Sequence, residues 1–178
     1  MAWELDAAHS LIEFSAKHMM VTTVKGRFTK HSGVLELDEQ NPSASKADVT
    51  IDVNSLYTGD EKRDAHLLSA DFFDVEKYPT ITYKSTKVEE VGDNHFRITG
   101  DLTIHGVTKE VVLDANLEGQ ATNPWGKRIA AFTLHTSVNR KDYGLNWNVA
   151  LEAGGVLVSD KVNINIEAQA VEVASAAA

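Results

Sequence analysis

Seven histidines (His9, His18, His31, His66, His95, His105 and His135) are the residues of this 178-residue sequence with the widest chemical range. A zinc or non-haem iron site needs two or three imidazoles with a carboxylate, usually at close spacings. No pair of these histidines stands at i, i+2 or i, i+4, and His-Glu-x-x-His is absent. His9 and His18 bracket one alternating run and would lie about 30 Å apart if it were extended. His18 can still approach His66 across a fold, so a metal-dependent enzyme built on histidines at one end of the molecule stays open as a reading. The chain has no cysteine, which removes disulfides, thiol nucleophiles and thiolate-held metals. It also lacks the Gly-x-Ser-x-Gly elbow and the glycine signatures of phosphate-binding loops. His9 and Ser10 are adjacent, and on a strand adjacent side chains point to opposite faces, so they do not make a catalytic dyad.

Charge narrows the partners. The net charge is −9, from 17 Lys and Arg against 26 Asp and Glu. No Lys or Arg run exceeds the pairs Lys62-Arg63, Lys127-Arg128 and Arg140-Lys141. Nucleic-acid binders carry a basic face or stripe, so no nucleic-acid partner is expected. No stretch reaches the roughly 18 apolar residues of a membrane-spanning helix, and no signal segment is read at the N-terminus. The expectation is a cytoplasmic protein that does not span a membrane.

The elements that must position these residues are strands. Period two dominates: Ile12, Phe14 and Ala16 alternate with Glu13, Ser15 and Lys17, and Ala47, Val49, Ile51 and Val53 with Asp48, Thr50 and Asp52. The same alternation sets Phe96, Ile98, Leu102 and Ile104 on one face, and Val111, Leu113, Ala115 and Leu117 on another. It recurs with Ala130, Phe132, Leu134 and Val138, and with Val162, Ile164, Ile166, Ala168 and Ala170. Such runs are half-buried antiparallel strands. Weaker strands are expected around 27–38, 80–88 and 150–158. Turn residues separate the runs, His105-Gly106 marking a tight hairpin. Residues 19–25 are expected to make one or two helical turns. Residues 61–73 have helical character, with Asp60 as N-cap. The pattern describes an antiparallel barrel or sandwich as a single domain over 1–173, with 174–178 as a disordered tail.

Periodicity leaves a filled core and a hollow one both open. Inward positions include many small residues (Ala16, Ala47, Gly100, Ala115, Ala130, Ala168, Ala170), and aromatics are 7% of the chain. A solid core generally needs bulk on facing layers, whereas an eight-stranded barrel can hold one small ligand.

Four blocks carry a more specific message. They are residues 6–18 with Val24-Lys-Gly-Arg-Phe28; residues 63–74 with Tyr78-Pro79; residues 100–109; and Asn139-Arg-Lys-Asp-Tyr-Gly144 with Val158-Ser-Asp-Lys-Val162. In this order they resemble the YceI-like family. The resemblance implies an all-β, lipocalin-like antiparallel barrel of about eight strands with one or two short helices near its mouth. It further implies a non-catalytic role: binding, storage or transport of a long-chain amphiphile such as a polyisoprenoid, an isoprenoid quinone or a fatty-acid-like lipid. A bound lipid is then the expected ligand, with no metal or other cofactor.

On that reading the tail lies against Phe14, Ile51, Leu102, Ile104, Leu113, Phe132, Leu134 and Ile164, with Phe72, Phe73 and Trp147 at the mouth. Arg63, His66 and Arg140 are candidates for a polar head group. Each has a plainer reading: Arg63 in a cap or salt bridge, His66 bonded to the next loop, Arg140 pinning the turn before Gly144. Two rivals stay open. One is the metal-dependent enzyme; the other is a solid barrel that homodimerises through its strand edges as a stress or interaction protein.

Overall fold

In the computed structural model, residues 2–152 and 154–173 are described. The alternating runs become the strands β1 (Ala2–Leu5), β2 (Leu11–His18), β3 (Thr22–Phe28), β4 (His31–Glu36), β5 (Lys46–Asp52) and β6 (Leu56–Tyr57). A helix, α1 (Glu61–Leu68), precedes β7 (Thr80–Gly92), β8 (His95–Ile104), β9 (Val107–Thr122), β10 (Arg128–Asn139) and β11 (Lys161–Glu172). Each strand pairs antiparallel with its neighbours in the order β1-β4-β5-β7-β8-β9-β10-β11. β11 then closes the ring onto β1, with Trp3 opposite Glu172. The result is a closed eight-stranded antiparallel barrel with one helix. β2 continues beside β11 past the end of β1, and β3 and β6 extend the sheet there.

Closure demands twist, and β-bulges supply it. One interrupts the β9–β10 register at Ala131/Phe132; two more lie on β7, at Ser85/Lys87 and Glu90/Gly92. The β8–β9 hairpin turns in two residues, His105 and Gly106, both at positive φ (54° and 72°). That is the backbone of a primed turn, whose twist matches the strands it joins. At Gly100 the sheet is packed too closely for any side chain. A Cβ there would meet the Tyr83 ring at 2.5 Å and the Lys84 carbonyl at 2.7 Å.

α1 starts as its sequence requires. The Asp60 carboxylate accepts hydrogen bonds from the Lys62 and Arg63 amides at 3.0 and 3.1 Å. These donors, Arg63 foremost, hold its carboxyl below the ordinary carboxylate range.

Three sequence expectations are corrected. Residues 19–25 form no helix: Met19 and Met20 make the β2–β3 turn and β3 follows at once. The β-branched run Val21-Thr-Thr-Val24 prefers a pleated surface to a helix. Residues 27–38 are two strands, because the chain leaves β3 after Phe28, turns at Thr29 and Lys30, and pairs anew with β5. Among the described residues of 150–158 there are only isolated bridges, from Ala150 to Val156 and from His18 to Val158. Gly154 and Gly155, at φ of 88° and 91°, fold that segment back on itself. The tail assigned to 174–178 lies outside the described residues.

Candidate functional site: an apolar cavity inside the barrel

The inward side chains do not fill the barrel. They surround a cavity of about 290 Å³, the lower end of the range for small-molecule sites. The pleat explains why the wall is apolar: alternate residues of every long strand face it. Phe14, Ile51, Leu102, Ile104, Leu113, Phe132, Leu134 and Ile164 all line it, joined by Phe72 and Phe73 from the segment after α1. On β11 the wall runs from Val162 through Ile164 and Ile166 to Ala168. Six residue steps give about 20 Å along the strand, less along the axis because barrel strands tilt.

The two ends differ. One borders a cluster of Trp3, 1% exposed, with Ala130 and Ala170, whose flanking Leu35, Leu37 and Phe132 are themselves on the cavity wall. The Arg128 guanidinium lies 5.6 Å from the Trp3 ring centroid. At the other end α1 places Leu67 on the wall, and Phe73 stacks edge-on against Phe28, which in turn meets Phe14. Trp147 is not on the wall; it packs on Phe72 at 5.3 Å and on His66 at 4.6 Å, behind the cavity's cap.

Polar groups on the wall are few. The Tyr83 hydroxyl faces the carbonyls of Ile98 and Val111 at 3.2 and 3.1 Å. Burial, with Asp101 and Glu110 nearby, raises its pKa far above the ordinary phenol value, so it stays neutral. Arg140, 4% exposed, also borders the cavity. Its Nε donates to Ser159 O (2.9 Å), its Nη1 to Leu145 O and Trp147 O (2.6 and 2.8 Å), and its Nη2 to Val158 O (3.2 Å). Burial lowers its pKa, an effect that Asp160 opposes. A guanidinium has five N–H donors, and four of these are committed to backbone carbonyls. Arg140 is therefore chiefly a clamp that ties the 145–159 loop to the barrel end.

The other two head-group candidates lie off the wall. Arg63 donates from Nε to the Thr58 hydroxyl and from Nη2 to the Thr58 carbonyl, both at 2.8 Å. His66 shares a hydrogen bond with Asp71 through Nε2 at 2.9 Å. His66 thus bonds the next loop, as its plainer reading had it, whereas among the described residues the Arg63 side chain makes neither a cap nor a salt bridge and instead ties α1 to Thr58 before it. The histidines do not converge: among the described residues, no three His, Asp or Glu side chains come together in a group able to hold a metal ion. His105, for instance, bonds the Tyr143 carbonyl through Nδ1 (3.0 Å) and stacks on Tyr78.

Sequence reasoning missed Ile12, Phe28, Ile81 and Tyr83 as wall residues. Ile12 shared Phe14's phase and was legible; Phe28 was not, because it sits in a short strand whose alternation Gly26 blurs.

Comparisons with known proteins agree with this architecture. The model of the YceI-like domain matches residues 3–170. A UPF0312 protein of Pectobacterium atrosepticum is 43% identical over 143 residues, 80% of this chain and 74% of that one. Protein YceI of Salmonella newport is 38% identical over 162 residues, 91% and 82% of the two chains. Among solved structures, a Campylobacter jejuni YCEI protein matches with a TM-score of 0.75 at 36% identity, covering 89% of this chain and 90% of that one. A polyisoprenoid-binding domain of Saccharophagus degradans matches with a TM-score of 0.68 at 17% identity, covering 94% and 97%.

Proposed function

The chain belongs to the YceI-like family, and on that premise we propose that its barrel binds a long-chain amphiphile, with the tail inside the cavity and no chemistry performed on it. The observation that carries this reading is the cavity itself: about 20 Å along the strands and walled almost wholly by aliphatic and aromatic side chains. The S. degradans domain, named for polyisoprenoid binding, shares the fold; the ligand class proposed for this chain rests on the shape and polarity of its own wall.

Burying an apolar chain gains roughly 0.8 kcal/mol per CH₂. A dozen carbons thus give on the order of 10 kcal/mol, against association costs of about 4–15 kcal/mol. Such a site favours longer tails and discriminates mainly by length. Polyisoprenoid, quinone and fatty-acid-like tails all satisfy it. A carrier or storage role follows from reversible occupancy.

Uptake of a lipophilic fluorophore, and its displacement by a long-chain isoprenoid, tests the reading. Saturable uptake with one-for-one displacement supports it. Failure to take up either probe in the delipidated, folded protein contradicts it.

A further inference from the structure

Next to the α1 end of the cavity the surface loses its charge. The β2–β3 turn lies against the loop after β10: Met19 N donates to Leu157 O at 2.8 Å, Lys17 N to the Ser159 hydroxyl at 2.9 Å, and Met20 sits directly over Gly155. Apart from His18, residues 18–24, 144–152 and 154–159 contain a single charged side chain, Glu152, in a chain that is 24% charged. Met19, Met20 and Val21 are 51%, 62% and 78% exposed, and Val149 and Val156 are exposed beside them. Met19 and Met20 hold φ of 51° and 63°, a region that L-residues other than Gly, Asn and Asp seldom enter. The backbone therefore accepts strain to present large apolar side chains on a protruding turn. Contiguous exposed apolar surface of this kind marks an interaction site.

Charge identifies what it meets. Lys17 and Lys25 bracket the turn; Lys141 and Lys161 flank the loop, with Arg140 beneath. The facing acids are Glu13, which pairs with Lys25, Asp160, which lies between Arg140 and Lys141, and Asp142 and Glu152. This face is thus close to neutral with a lysine rim, in a molecule that carries −9 overall. Against an anionic bilayer such a face presents no net negative charge at its own rim, and its lysines can reach lipid phosphates while methionine and valine enter the interfacial layer. The apolar residues Met19, Met20 and Val21 project from a turn. They also adjoin the cavity wall, since Ala16 and Val158, both wall residues, lie within three positions of Met19 and Val156.

We propose that this tip, centred on Met19, Met20, Val21, Val149 and Val156, docks on the surface of an anionic phospholipid bilayer. The docking stands on its own observations; only its purpose, loading and unloading the barrel at a membrane, rests on the proposed lipid cargo.

Flotation of the purified protein with vesicles of phosphatidylcholine, alone or with phosphatidylglycerol, tests it. The wild type is expected to float with the mixed vesicles, more than with phosphatidylcholine alone, and to lose part of that binding in high salt. The triple variant M19S/M20S/V21S should partition roughly tenfold less or weaker with an unchanged thermal midpoint. A control, V112S/W125S, which alters exposed apolar residues elsewhere, should float like wild type. Leu134→Trp, aimed at the cavity, should also float normally, so loss of cargo and loss of docking are separable. Wild type remaining unbound to both vesicle types overturns the proposal, as does equal loss in the control. A wild-type dimer that the triple variant dissociates, without flotation of either, would instead assign the patch to a second copy of the chain.

Discussion

Leu134 sits mid-wall on β10, opposite Ile166 of β11 and Ala115 of β9. In a filled core, adding an indole here would strain the barrel, a cost of typically 1–3 kcal/mol. With space in front of it, Leu134→Trp should leave cooperative unfolding intact while cutting uptake of a lipophilic probe by an order of magnitude or so; paired melting and fluorophore titrations check both halves. Gly100→Ala is the opposite case. The new methyl would meet the Lys84 carbonyl, a backbone atom that cannot swing aside. We expect a loss of roughly 1–3 kcal/mol in denaturant unfolding. Gly26→Ala should cost less, since its Cβ meets only the far edge of the Phe14 ring, which borders the cavity and can move into it. Arg140→Met would strip donors from four carbonyls at once. A loss on the order of 3 kcal/mol is expected, with hydrogen exchange quickened across residues 145–159 and little changed in β7–β9.

At the scale of elements, α1 and its cap make a pH-dependent contribution. Asp60 is depressed by the Arg63 and Lys62 amides, so the folded helix favours the carboxylate. That contribution is complete above the ordinary carboxyl value of 3.8 and is lost as pH falls through the lower folded value. Amide exchange at Lys62 and Arg63 should rise there before the barrel strands respond, and Asp60→Asn should flatten the dependence. How legible these elements were follows their physics. Long strands such as β8, β9, β10 and β11 announce themselves by alternation, and Asp60 announces α1 by its chemistry as a cap. The 19–25 segment was misread because a positive-φ turn at two methionines leaves no compositional mark; glycine or asparagine would have shown it. The Arg140 clamp was only half visible: the residue stood out, but its partners are main-chain carbonyls that no sequence pattern encodes.

For the molecule as a whole, the sequence could say which side chains face inward but not whether they meet. Ala16, Ala47 and Ala168 are small, yet whether opposite walls close that space depends on barrel radius, set by ring closure between β11 and β1. The fold shows that they do not close it. Ring closure also pairs both sides of all eight strands, so the edge-to-edge association considered for a solid barrel would fall to β3 and β6. The most direct test of the central claim is native mass spectrometry of protein purified without detergent, before and after soaking with a long-chain isoprenoid. The barrel should carry an adduct of a few hundred daltons at one copy per chain, or acquire one on soaking, and organic extraction should release it as a lipid. A bare mass in both spectra, from protein that melts cooperatively, would contradict a lipid-binding cavity.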